Sequence, residues 1–250
     1  MSEYENKQLN LHFTACTVPK LIRLCYIIPL VLILGCGGGE SKKTTPEETV
    51  TEPTETSQLT EDSRNSAGTI LCFGDSITAG YGLENSNDAF PGVLQQKIDS
   101  LNLNYVVVNS GLSGETTAGG KSRIGWVLNQ NIDVFILELG ANDGLRGIPL
   151  SETLDNLQSI INTVEEKSPN TKIILAGMQL PPNMGQDYTT EFRELYVQIA
   201  EANNLSLIPF ILKNVAGIAA LNQKDGIHPT AEGHKIVAHT VWEVLKPMLK

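Results

Sequence analysis

The chain has 250 residues, enough for one large domain or two small ones, and its 41% apolar and 18% charged content suits a globular protein. Eighteen basic against 28 acidic side chains leave a formal net charge of −10, with no basic cluster to reverse it locally. Such a field repels phosphate and excludes nucleic acid as a partner.

From the N-terminus, Lys20 and Arg23 precede an apolar run over 24–34. The run has the length of a secretory h-region and falls short of the roughly 20 apolar residues that a bilayer span needs. It ends in Ile33-Leu34-Gly35-Cys36, which is similar to the bacterial lipoprotein cleavage box. Residues 1–35 therefore read as a lipoprotein-type signal peptide, with Cys36 as the lipidated first residue of the mature chain. An ordinary signal peptide or an uncleaved anchor is the plainer alternative, and Glu3 and Glu5 in the long leading segment depart from the pattern. Residues 36–68 continue as glycine and then acidic Thr/Glu/Pro-rich sequence with little to bury, so a disordered tether is expected. Such a leash has a root-mean-square span of roughly 30 Å. The implied location is the bacterial cell envelope, with the domain held at a membrane surface by its lipid. Gly37 stands where inner-membrane retention favours aspartate, which points to the outer membrane or periplasm.

Residues 69–250 form the expected domain. Short apolar runs at 69–73, 105–109, 134–139, 172–176 and 205–208 suit strands buried on both faces of a parallel sheet. Between and after them, 89–100, 116–128, 151–167, 189–203 and 230–245 carry helical spacing. In the third of these, Leu154, Leu157, Ile160, Ile161 and Val164 repeat along one face, and Ser168-Pro169 stops it. Strict alternation of strand and helix predicts an α/β fold: a three-layer αβα sandwich around a mainly five-stranded parallel sheet. Ligands bind such sheets beyond the carboxyl ends of the strands, so Ser76, Gly114 and Asn142 should converge on one edge. Cys72, the one cysteine left in this domain, falls in a predicted buried strand and reads as an inert small hydrophobe.

Four segments carry chemistry: Gly74-Asp75-Ser76-Ile77-Thr78, Ser113-Gly114-Glu115-Thr116, Gly140-Ala141-Asn142-Asp143 and Asp225-Gly226-Ile227-His228-Pro229. A serine hydroxyl is a poor nucleophile until a base lies within hydrogen-bond reach. Of the domain's three histidines, His234 and His239 fall inside the last predicted helix, where a solvated or partly packed ring is expected. His228 precedes that helix, its backbone restricted by Pro229. Asp225, three residues earlier, can orient its ring and stabilise the imidazolium. The expected catalytic set is Ser76 as nucleophile, His228 as general base and Asp225 as its orienting carboxylate. A tetrahedral intermediate also needs donors aimed at its oxygen. Candidates are the N–H groups of Ser76 and Gly114 and the side-chain amide of Asn142. Asp75 reads as an anchor for the turn around Ser76. Read singly, Gly114 is a loop glycine, Asn142 a turn residue and Asp225-Gly226 a turn.

Together these segments resemble the four blocks of the SGNH (GDSL) hydrolase family across nearly all of residues 69–250. The runs 138–147 and 225–229 are closer still to its periplasmic multifunctional thioesterase, protease and lysophospholipase subgroup, which includes arylesterases. The resemblance implies a flavodoxin-like sheet, the same triad and oxyanion hole, no metal and no cofactor. It further implies that Asp143, Gly144, Leu145, Arg146, Leu180 and Pro181 border an acyl pocket. The Gly-x-Ser-x-Gly elbow of the α/β-hydrolases is absent. Gly114 to Ser122 nearly spells a phosphate loop, but five residues instead of four separate Gly114 from Gly120-Lys121-Ser122, and one of them is Glu115.

The expected activity is hydrolysis of single-chain acyl esters or thioesters, such as aryl esters, lysophospholipids and fatty acyl thioesters. A carbohydrate O-deacetylase of the same fold is a second enzyme reading, disfavoured by 6% aromatic content and no accessory module. A lipoprotein that only binds acyl ligands would need none of the five site positions.

Overall fold

The computed structural model describes residues 67–249, so the expected signal peptide, Cys36 and most of the tether lie outside the described residues. Five strands, Gly68–Gly74 (β1), Tyr105–Gly111 (β2), Val134–Glu138 (β3), Lys172–Ala176 (β4) and Ser206–Ile208 (β5), form one parallel sheet in the order β2-β1-β3-β4-β5. The register sets Cys72 between Asn109 and Ile136, and Ile136 beside Ile174. Every residue of β3 is buried, as a central strand covered on both faces requires.

Helices supply the outer layers. Phe90–Ser100 (α2) packs with Ala231–Leu245 (α7). Thr117–Val127 (α3), Leu150–Lys167 (α5) and Gln186–Ala202 (α6) form the other group, α3 against α5 and α5 against α6. The apolar stripe of α5 is buried through Leu157, Ile160, Ile161 and Val164. Burial of each such side chain contributes about 1.5–3 kcal/mol. Thr116 and Thr230 cap α3 and α7 by accepting from Gly119 N–H and Gly233 N–H. The core is centred on Phe73, Phe135, Phe192 and Tyr196, and the Tyr196 hydroxyl donates to the Leu139 carbonyl at 2.9 Å. The three-layer α/β architecture expected from the alternation of elements is thus the observed one.

The structure adds two helices that the periodicity does not reveal, Ser76–Ala79 (α1) and Ala141–Leu145 (α4). At four and five residues they are too short to show a hydrophobic repeat, and Asn142-Asp143-Gly144 carries turn residues. The fourth expected helix also starts earlier, at Gln186 instead of 189, because Gly185 enters it with φ +98 after a 3-10 turn at Pro182–Met184. No helix among the described residues is long and apolar enough to cross a membrane.

In this strand order the crossovers from β1 leave towards β2 on one side, and β3 lies on the other. The crevice above β1 is therefore the switch point where ligands bind. Ser76 follows β1, Gly114 follows β2 and Asn142 follows β3, all at that edge.

Candidate active site

The turn that presents Ser76 is built by exclusion. A Cβ on Gly74 would meet Thr78 Oγ1 at 2.1 Å and the Glu138 carbonyl at 2.6 Å, so only glycine fits. Asp75 then caps α1, its Oδ1 accepting from Ile77 N–H at 3.0 Å. Behind the turn the Glu138 carboxylate oxygen Oε2 accepts from Thr78 Oγ1 at 2.7 Å and Asp75 N–H at 3.3 Å. Burial pushes Asp75 up to about 6, against hydrogen bonds from Ile77, Asn142 and Glu138 that pull it down. Burial, and then the charge of Asp75, push Glu138 well above the carboxylate range. Two buried carboxyls at such close quarters cannot both ionise cheaply, and the push towards the protonated form is the stronger at Glu138.

His228 comes from the loop between β5 and α7. An antiparallel bridge between Asn222 and Pro229 closes that loop, and Gln223 N–H donates to the His228 carbonyl at 2.7 Å. Gln223 Nε2 donates to the carbonyls of Tyr81 (2.7 Å) and Pro229 (3.0 Å), tying the loop to the chain that follows Ser76. The Tyr81 ring lies 4.7 Å from the His228 ring at a tilt of 46°. His228 Nε2 is 2.9 Å from Ser76 Oγ, and its Nδ1 is 2.6 Å from Asp225 Oδ2. The other oxygen of Asp225 accepts the backbone N–H groups of Ile227 and His228 at 2.9 and 3.0 Å. The His228 side chain, followed by these two backbone bonds, holds Asp225 down at about 2, so it is ionised throughout the neutral range.

The N–H groups of Ser76 and Gly114 take no acceptor among the described residues. Gly114 has φ +79, the left-handed conformation that favours glycine. Asn142, on α4, donates from Nδ2 to Asp75 Oδ2 and to the Glu115 carbonyl, both at 3.1 Å. These bonds fix the amide and occupy both of its N–H groups, so it reaches a substrate oxygen by exchanging one of them.

A cavity of about 570 Å³ opens beside Ser76 and His228. Of the six expected pocket residues, Leu145, Leu180 and Pro181 line it, together with Met178, Phe210 and Ile227. The other three face elsewhere. Asp143 is fully buried against Thr117, and Gly144 is packed so closely that a Cβ would meet Leu180 at 2.6 Å and Phe192 at 2.8 Å. Arg146 turns its Nη2 to the Gly114 carbonyl at 3.0 Å. Tyr81 and Gln223 gave no sequence signal of a role, since neither belongs to the four blocks. Cys72 is fully buried, and burial pushes its thiol far above the ordinary range. His234, expected to be solvated or partly packed, is buried, its Nδ1 accepting Phe90 N–H at 3.2 Å. His239 is exposed, 3.9 Å from Glu243. Among the described residues no group of three or more His, Cys, Asp or Glu side chains is arranged to hold a metal ion.

A parallel α/β sheet with a serine, a ring nitrogen and a carboxylate in hydrogen-bonded sequence at its switch point defines the class: a serine hydrolase. Over 184 residues the chain is 37% identical to esterase TesA of Pseudomonas aeruginosa, with 73% of this chain and 90% of the relative covered. It is 34% identical over 184 residues to thioesterase 1/protease 1/lysophospholipase L1 of Escherichia coli, covering 73% and 86% respectively. Among solved structures, the psychrotrophic esterase EstA from Pseudoalteromonas sp., in a form inhibited by monoethylphosphonate, is similar with a TM-score of 0.68 and 32% identity over 72% of this chain and 97% of that one. Residues 72–236 match the GDSL-like Lipase/Acylhydrolase family, and the chain belongs to it. It is a serine ester hydrolase of the SGNH type.

Proposed function

We propose that the protein hydrolyses single-chain acyl esters or thioesters through an acyl-enzyme on Ser76. The observation that carries this reading is the unbroken path from Asp225 through His228 to Ser76, at 2.6 and 2.9 Å, beside an apolar cavity. His228 Nε2 takes the Ser76 proton as Oγ bonds to the substrate carbonyl carbon, and the imidazolium is stabilised by Asp225. The carbonyl oxygen becomes an oxyanion that accepts from the N–H groups of Ser76 and Gly114, and from Asn142 Nδ2 once that amide exchanges one of its two present acceptors, Asp75 Oδ2 or the Glu115 carbonyl, each donor worth about 2.7–4 kcal/mol. His228 returns the proton to the departing alcohol or thiol as the carbon–oxygen or carbon–sulfur bond breaks. Water then attacks the acyl-enzyme, giving its proton to His228, and Ser76 leaves as the free hydroxyl. No step in this scheme calls for a cofactor.

The cavity, walled by Leu145, Met178, Leu180 and Phe210, suits one acyl chain. Aryl esters, lysophospholipids and fatty acyl thioesters share that feature, and the E. coli relative carries thioesterase and lysophospholipase in its name. The sequence around Cys36 supports a lipid anchor that would bring the domain to a membrane surface of the cell envelope, where lysophospholipids lie. Loss of palmitate labelling in Cys36→Ala tests the anchor separately.

The test of activity is a p-nitrophenyl ester series from acetyl to dodecanoyl with wild-type protein and Ser76→Ala. Wild-type turnover should favour octanoyl or longer chains over acetyl, and the variant should lose about a thousandfold or more while keeping its fold. An acetyl preference would favour the O-deacetylase reading. Undiminished turnover by Ser76→Ala would remove the serine mechanism.

A further inference from the structure

The backbone donors at Ser76 and Gly114 leave from two different strands, β1 and β2, and the third donor sits on α4. Chain connectivity does not fix the distances among them. One side chain touches the supports of all three. Arg123, on α3, donates from Nε to Glu115 Oε1 at 2.6 Å and from Nη2 to Glu115 Oε2 at 2.5 Å. Nη2 also donates to the Ser110 carbonyl at 2.8 Å, with the Gly74 carbonyl sharing its hydrogens as a long third contact at 3.5 Å, and Nη1 donates to Ser110 Oγ at 3.0 Å. The guanidinium rests 3.9 Å from the centre of the Phe73 ring.

Each contact lands next to a donor. Gly74 closes β1 two residues before Ser76. Ser110 lies at the end of β2, four residues before Gly114. Glu115 directly follows Gly114, and its carbonyl is an acceptor for Asn142 Nδ2 at 3.1 Å. The Glu115 side chain is only 2% exposed and that of Arg123 23%, so the carboxylate end of the pair is withdrawn from water. The planar guanidinium has five N–H groups for its five contacts, including the two-point grip on the Glu115 carboxylate; an ammonium has three and lacks the fork.

We propose that Arg123 is a positioning residue for the oxyanion hole, its guanidinium setting the mutual placement of the Ser76, Gly114 and Asn142 donors through Gly74, Ser110 and Glu115. The proposal rests on the reading of those three groups as oxyanion donors. Its effect falls on the transition state: the donors remain, but a displaced donor stabilises the ester ground state and the tetrahedral oxygen to different degrees.

The test is steady-state kinetics on p-nitrophenyl butyrate, with inhibition by butaneboronic acid, whose serine adduct is tetrahedral. Arg123→Lys is the first variant. The paired variant Arg123→Met with Glu115→Leu is the second, because it removes the tie without leaving a buried carboxylate unpaired should Arg123→Lys fail to fold. In both, kcat should fall roughly tenfold to a hundredfold with KM within about twofold, and the boronate Ki should rise by the same factor. A folded variant with wild-type kcat, or with a loss confined to KM, overturns the proposal. Asn142→Ala, measured alongside, separates the two levels. If it is impaired while Arg123→Lys is not, the role of Arg123 alone fails; if it is unimpaired, the reading of the donors fails instead.

Discussion

Asp143 accepts both the backbone N–H and the hydroxyl of Thr117, at 2.9 and 2.5 Å, from a fully buried position on α4. These bonds pin the first residue of α3 to the helix that carries Asn142. The chain from Gly114 to Thr117 is thus held from the α4 side, independently of the contacts at its own strand.

Asp143→Ala should therefore lower stability by roughly 2–3 kcal/mol, since both Thr117 donors lose their carboxylate acceptor inside the fold. A urea melt checks this. A change of a few tenths of a kcal/mol would mean that water or a neighbouring acceptor replaces the carboxylate.

Gly74→Ala should damage the nucleophile turn directly. Its Cβ would lie 2.1 Å from Thr78 Oγ1 and 2.5 Å from Glu138 Oε2, so the Thr78–Glu138 hydrogen bond must break or the strand end must move. We expect a loss of about 1–3 kcal/mol in stability and at least about a tenfold fall in kcat. Thermal melts and ester turnover on the same sample report both.

His234 gives the fold a pH dependence of known sign. Burial, with the nearby charge of His228 second, lowers it from 6.5 to about 4, and its Nδ1 must stay unprotonated to accept Phe90 N–H. The unfolded chain takes up a proton near pH 6.5 that the folded chain refuses until about pH 4. This contribution is therefore complete above pH 6.5 and is lost as pH falls through that window, by up to about 3 kcal/mol. Asn at 234 can present an oxygen to the same N–H and does not titrate. The gap in melting temperature between wild type and His234→Asn should shift against the wild type from pH 6.5 to pH 4; a constant gap would contradict the assignment.

The cavity wall offers a specificity test away from the core. Ala216 lines the cavity from an exposed loop, so Ala216→Trp can fill space without repacking the interior. We expect kcat/KM for octanoyl esters to fall about tenfold or more and that for acetyl esters to change little. A uniform drop across chain lengths would show that the loop moves and that the cavity is not simply shortened.

The layered fold was readable because its central strands are buried apolar runs and its long helices repeat on one face, as the stripe Leu157, Ile160, Ile161 and Val164 illustrates; β2 and β5, expected to be buried on both faces, are partly exposed because they form the sheet's edges. The helices α1 and α4 were not, because hydrophobic periodicity needs more than four or five residues, and Asn142-Asp143-Gly144 carries turn chemistry at helical positions. Ser76 and His228 stand 152 positions apart, and only their chemistry suggested that they meet. What stayed hidden were contacts with no local pattern. Gln223 bridges to Tyr81, His234 turns inward to a backbone amide, and Arg146 faces the Gly114 carbonyl instead of the cavity. Each of these depends on where a loop folds back, which composition and spacing do not encode.

The most direct check on nucleophilic catalysis at Ser76 is to treat the purified protein with a p-nitrophenyl alkylphosphonate and locate the adduct by peptide mass spectrometry. One phosphonyl group per chain on Ser76, accumulating in step with the loss of esterase activity, is the expected result. Full activity after complete modification of Ser76, or inactivation with the adduct on another residue, would contradict it.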